Sequence, residues 1–139
     1  MPPILRPTVD VHLTCAPNGD WTTRALIDTG SPLTVFDRGA AEALCINIGN
    51  FGAETGSIAL LGEHRRVQFE YVELSLPHYP SLSWTARVAF ITDPAFQMVF
   101  QGILGAEGFL NKFVVTFNAY DNFFIIDEPD DWAARYDDR

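Results

Sequence analysis

From Thr8 to Cys15 the chain alternates polar and apolar residues at every step, with Val9, Val11, Leu13 and Cys15 on one face and Thr8, Asp10, His12 and Thr14 on the other. A period of two belongs to an extended strand that covers a core with one face, so this stretch constrains the fold more than any other. Residues 16–20 supply turn chemistry, with Asn18-Gly19 suited to positive φ, and residues 21–27 return as a second strand. The chain therefore begins with a β-hairpin. Leu33, Thr34, Val35 and Phe36 are β-rich, and Asp37 stands as an N-cap before the helix formers of residues 38–45.

Residues 47–56 have the composition of a loop, and residues 57–64 form a strand entering a tight turn. Beyond Arg65 the apolar phase changes, because Val67, Phe69 and Tyr71 share one face whereas Val72, Leu74 and Leu76 share the other. That change predicts a one-residue β-bulge in a long strand. Pro77 and Pro80 interrupt it, and Trp84, Ala86, Val88 and Phe90 resume the alternation. Residues 93–101 show no period, and residues 102–110 read as a buried strand feeding a brief helix. Residues 113–117 and 123–126 flank a turn and give a final hairpin. The expected organisation is an N-terminal arm over 1–7, one domain over 8–127, and an acidic tail over 128–139 that is solvated or loosely docked.

A length of 139 residues suits a single core, and 47% hydrophobic residues with 11 Phe and 3 Trp furnish it without disulfides. Cys15 and Cys45 imply no disulfide framework. Eighteen acidic residues against nine basic ones leave a formal charge of -9, a field that repels nucleic acid and anionic lipid. The first residues lack a basic stretch followed by an apolar one, and no run of eighteen apolar residues occurs, so a cytoplasmic protein without a membrane partner is expected. His12, His64 and His78 lack paired ligand spacing, which argues against a metal site. Gly102, Gly105 and Gly108 lack both a phosphate-loop lysine and dinucleotide-fold spacing, so no cofactor is expected.

The residues that carry chemistry are Asp28, Thr29, Gly30 and Ser31, delivered into a turn by the apolar strand Ala25-Leu26-Ile27, together with the later run Gly102, Ile103, Leu104 and Gly105. This pair of motifs resembles the retropepsin-like aspartic proteases, in which a strand ends in Asp-Thr-Gly-Ser or Asp-Thr-Gly-Ala and an apolar-apolar-Gly strand is threaded beside it. The resemblance covers roughly Val9 to Ile126 in element order. It implies an all-β, closed barrel-like acid protease fold with one or two short helices.

It also implies that Asp28 is the catalytic acid and base, that Thr29 braces the two active-site loops across a dimer, and that Gly30 lets the backbone approach the paired carboxylates. Ser31 is expected to hydrogen-bond Asp28. By position in the chain, the family's flap matches residues 57–69, with Leu60, Leu61 and Gly62 at or near its tip. Glu107 stands where many members of the family place Asp.

Two carboxylates that share one proton can hydrolyse a peptide bond, one activating water as the base and the other polarising the scissile carbonyl as the acid. This chain holds one Asp-Thr-Gly, so the second carboxylate must come from another copy, and an obligate homodimer with two-fold symmetry is expected. The implied activity is that of an aspartic endopeptidase acting on extended peptides with hydrophobic side chains. The competing expectation is a catalytically inactive dimeric binding or assembly module on the same fold.

Overall fold

The computed structural model describes residues 6–136, apart from residues 16, 18 and 61 and the side chains of residues 80 and 81. The turn position Asn18 therefore lies outside the described residues, as does most of the N-terminal arm. The alternating segment forms β1, Thr8–Cys15, and pairs antiparallel with β2, Gly19–Ile27, in unbroken register from Thr8↔Leu26 to Cys15↔Gly19. Val11, Leu13, Ala25 and Ile27 are buried, so the apolar phase read from the sequence sets the inward face.

The remaining strands close a barrel. They are β3, Val35–Phe36, β4, Thr55–Leu60, β5, Glu63–Leu76, β6, Tyr79–Ile91, and β7, Gly102–Leu104. The spatial order is β1-β2-β7-β3-β6-β5, and β5 returns to β1 through His12↔Ser75, Leu13↔Leu74 and Thr14↔Glu73. Six strands are thus closed on themselves, which leaves the barrel without a free edge, and β4 hangs from β5 as the outer arm of a hairpin. The chain is all-β in its main body, as expected.

The barrel interior is filled by Phe36, Val72, Leu74, Trp84, Val88 and Phe90, among others. The helix α1, Arg38–Ala43, covers one end with Ala40 and Ala41, and its cap is the expected one, since Asp37 accepts from the Ala40 N–H at 3.1 Å. Phe109 and Phe113 close on Trp84, the latter edge-on at 4.8 Å between ring centres, and the indole N–H donates to the Gly108 carbonyl at 2.6 Å.

The predicted bulge after Tyr71 does not form. β5 and β6 keep one register from Val67↔Ile91 to Ser75↔Ser83, and the shift comes at Ser75/Leu76. What changes along β5 is the face that is buried. Val72, Leu74 and Leu76 point into the barrel, whereas Val67 points outward into a second cluster with Val35, Ala89 and Ile91, covered by Ile58 and Phe96. Both faces of a strand can be apolar when each has its own cover, and a sequence pattern cannot tell that from a bulge.

The brief helix expected after β7 is also absent. Residues 106–112 form turns in which Leu110 and Asn111 donate to carbonyls five residues earlier, at 2.9 Å each, and Gly108 at φ +95° takes a conformation no helix contains. The final hairpin is present as β8, Val114–Asn118, and β9, Phe123–Asp127, and it forms a two-stranded sheet separate from the barrel. Most of the acidic tail is helical, as α2, Pro129–Tyr136. Proline at its first position, acids in its first turn and Arg135 in its last all suit a helix. Arg135 also pairs with the buried Asp127 carboxylate. No helix among the described residues is long and apolar enough to cross a membrane.

Candidate active site

Asp28 sits where two parallel strands end side by side. β2 and β7 pair through Ala25↔Gly102, Leu26↔Ile103 and Ile27↔Leu104, and the Asp28 N–H continues the ladder by donating to the Leu104 carbonyl at 3.0 Å. Ile27 and Leu104 are buried beneath it, so the last backbone atoms before the carboxylate are fixed by the barrel core. The chain then turns sharply, with the Ser31 N–H donating to the Asp28 carbonyl at 3.2 Å and the Gly30 N–H donating to Asp28 Oδ1 at 2.9 Å. Asp28 is half-buried, whereas Thr29 and Gly30 are exposed. A Cβ on Gly30 would stand 3.3 Å from Asp28 Oδ1, which crowds the carboxylate.

The two motifs interlock. Ala106 N–H donates to the Ser31 carbonyl at 2.8 Å and Glu107 N–H to the Pro32 carbonyl at 3.0 Å, while Thr34 N–H returns to the Glu107 carbonyl at 3.1 Å. Gly105 lies at the crossing, where a Cβ would meet the Leu33 carbonyl oxygen at 2.1 Å and the Ser31 carbonyl oxygen at 2.6 Å. No other residue fits there without moving backbone. Glycine is needed at Gly102 as well, since a Cβ there would lie 2.2 Å from the Phe36 ring.

Ser31 departs from expectation. Its hydroxyl donates to the Leu33 carbonyl at 2.7 Å, holding the loop rather than the Asp28 carboxylate. Serine hydroxyls bond readily to backbone two residues on, and that local partner wins here. The side chain that sequence reasoning missed is Thr34, fully buried, whose hydroxyl donates to the Glu107 carbonyl at 2.8 Å and accepts from the Gly105 N–H at 3.2 Å. Threonine in a β-rich run announces only a strand, so nothing local pointed to this role.

The hairpin of β4 and β5 lies where the resemblance placed a flap. Leu60 pairs with Glu63 across a two-residue turn, and Gly62 takes φ +78°. Leu61 lies outside the described residues. Leu60 and Ile58 pack onto the outer cluster around Val35, and Val35 is the antiparallel partner of Ile103. Ile103 therefore shares a sheet face with that cluster, while Leu104 next to it points into the barrel. An apolar surface runs from the hairpin to within one residue of the carbonyl that holds Asp28.

A concavity of about 860 Å³ lies elsewhere, between the start of β1 and the β8–β9 hairpin, and its walls include Arg6, Val9, Asp10, Phe117 and Phe123. Asp28 does not line it. Of the histidines, His78 Nε2 lies 3.0 Å from Asp10 Oδ2 and His12 Nδ1 lies 2.6 Å from Thr22 Oγ1. Among the described residues no three His, Cys, Asp or Glu side chains converge on a point where a metal ion could be held. Burial raises the pKa of the Cys15 thiol, with the Glu70 carboxylate adding to the effect, while Cys45 is exposed.

The chain thus presents the Asp28 carboxylate at a fixed place, half-exposed and with apolar surface nearby. Hydrolysis of a peptide by carboxylates alone calls for a second one beside it. No protein-family model matches the chain, and no curated protein matches it significantly.

Proposed function

We propose that this protein is a retropepsin-like aspartic endopeptidase that works as a homodimer, with Asp28 and Asp28 of the partner subunit sharing one proton across the two-fold axis. The observation that carries the reading is the interlocked pair of loops. A half-open carboxylate is held by Gly30 N–H and seated at the ends of two parallel strands, with Gly105 at the crossing beneath it.

In the proposed cycle the ionised aspartate removes a proton from a water molecule as that water attacks the scissile carbonyl, and the protonated aspartate donates its proton to the carbonyl oxygen. The tetrahedral species then collapses as a proton passes to the leaving amine. Two carboxylates this close cannot both ionise cheaply, so the pair titrates as a unit and works on the acidic side of neutrality. The exposed Thr29 and Gly30 are the parts of the loop free to meet the partner. A peptide lying over the apolar surface of Ile103, Leu33 and Leu60, beneath the β4–β5 hairpin, would present hydrophobic side chains.

The test is cleavage of a diverse peptide library by wild type and Asp28→Asn, read by mass spectrometry at several values from about pH 4 to 7. Wild type is expected to cut and the variant to lose cleavage by at least about a thousandfold. Equal cutting by both would dismiss Asp28 as the catalyst. If neither cuts while both remain folded dimers, the protease reading gives way to a binding or assembly module on the same fold.

A further inference from the structure

Arg87, on the outer face of β6, touches three segments that are far apart in the chain. Its guanidinium lies 4.2 Å over the centre of the Phe69 ring on β5. One edge pairs with the Glu54 carboxylate at the foot of β4, and another nitrogen lies 3.3 and 3.5 Å from the two carboxylate oxygens of Glu107. Neither acid is loosely attached. The Glu107 backbone is locked into the loops around Asp28 by its bonds to Pro32 and Thr34, and the Glu54 carbonyl accepts from the Phe69 N–H at 2.9 Å.

A single flat cation therefore joins the foot of the β4–β5 hairpin to the loop pair that carries Asp28. Arginine suits the position because its guanidinium offers a face for stacking and several edge donors in fixed directions, whereas a lysine ammonium offers neither the face nor the fork. Beyond this foot the hairpin has other holds on the barrel: the Arg66 carbonyl accepts from the Thr92 N–H at 3.1 Å, the Arg65 guanidinium lies 4.2 Å over the Phe96 ring, and Ile58 and Leu60 pack onto the outer cluster. Among the described residues β4 has β5 as its strand partner, and the paired register of β5 with β6 ends at Val67↔Ile91.

We propose that Arg87 is a positioning residue that sets the pitch of the β4–β5 hairpin over the Asp28 loops, acting through Glu54 and Glu107. The kinetic consequence rests on the protease reading, whereas the mechanical one does not. With the clamp cut, the hairpin spends less of its time in the substrate-covering position, and apparent affinity falls by the same fraction. The bonds that hold Asp28 itself are untouched, so turnover at saturation persists.

Two variants test this, Arg87→Met, which removes the cation, and Glu54→Gln, which cuts only the arm to the hairpin. Amide hydrogen exchange is expected to quicken by about tenfold over residues 55–66 in both, with β1 and β2 unchanged. Hairpin exchange equal to wild type in both variants overturns the clamp, and so does an equal rise throughout the barrel, which would report general loss of stability. In peptide cleavage, KM is expected to rise by about fivefold with kcat within about twofold, and Arg87→Lys should recover part of the loss. A fall in kcat at unchanged KM overturns the positioning role. If wild type cuts no peptide, the protease reading fails, and hydrogen exchange alone decides the clamp.

Discussion

Cys45 holds its backbone at φ 58°, the left-handed region that glycine occupies freely and other residues occupy at a cost. The position is the turn-out of α1. Cys45 N–H donates to the Glu42 carbonyl and Ile46 N–H to the Ala41 carbonyl, both at 3.0 Å, which is the paired bonding of a Schellman C-cap. The thiol is exposed and no packing depends on it. Cys45→Gly should therefore stabilise the protein by about 0.5 to 1 kcal/mol, the relief of strain exceeding the added freedom of the unfolded chain. A urea midpoint that rises at unchanged slope is the expected result, and a fall would show that the left-handed residue carries no strain here. Legibility at this scale followed chemical type. Asp28, Gly30 and Gly105 were visible because a carboxylate at a strand end and glycines at a close crossing have few alternative uses. Thr34 and the true partner of Ser31 were not, because hydroxyls bond to whatever backbone the fold brings near.

Among the elements, β1 and the β8–β9 hairpin were readable because each has one buried or covered face and clear turn chemistry. The long strand β5 was misread at its middle because its two halves bury opposite faces, a distinction made only by the second cluster outside the barrel. The same strand ends in a turn that is tied back to β1, where His78 bonds to Asp10 at 3.0 Å. That hydrogen bond is the main influence holding Asp10 below the usual carboxylate value of 3.8, burial opposes it, and Arg24 adds to it. A carboxylate depressed in the folded state contributes stability in full above its unfolded value and loses it as pH falls through the folded one. The contribution is small because both groups are partly exposed. The stability gap between wild type and His78→Ala should accordingly be full at about pH 5 and close as the pH drops well below 3.8. Urea titrations at about pH 5, 4 and 3 measure it, and a gap that widens in acid would contradict the assignment.

For the whole molecule the proposed reading requires a second copy to supply the other carboxylate, and such a contact would have to form on surface that the single chain leaves open. The two-stranded sheet of β8 and β9 packs Val115, Phe124 and Ile126 of one face against the main core and leaves its other surface open. Phe117, Phe123, Tyr120 and Tyr136 are 44%, 47%, 93% and 54% exposed around it, far more aromatic surface than a scatter of single residues would give. This hairpin also shares the walls of the 860 Å³ concavity with Arg6 and Pro7, and the Pro7 carbonyl accepts from the Ile27 N–H at 2.8 Å, one residue before Asp28. The exposed aromatic surface and the candidate carboxylate therefore lie toward the same end of the barrel. A two-fold contact at that end would cover the rings and bring two Asp28 side chains together. Phe123→Asp tests the arrangement, because the half-exposed ring can be replaced without a cavity in the barrel, whereas a carboxylate buried in a contact between copies is strongly unfavourable. Sedimentation should show wild type as a dimer and the variant as a folded monomer, with dimer dissociation strengthened by about a hundredfold, and peptide cleavage should fall with the dimer fraction. A wild type that cleaves as a monomer would remove the need for a second carboxylate, and a variant that stays dimeric would move the contact to another face.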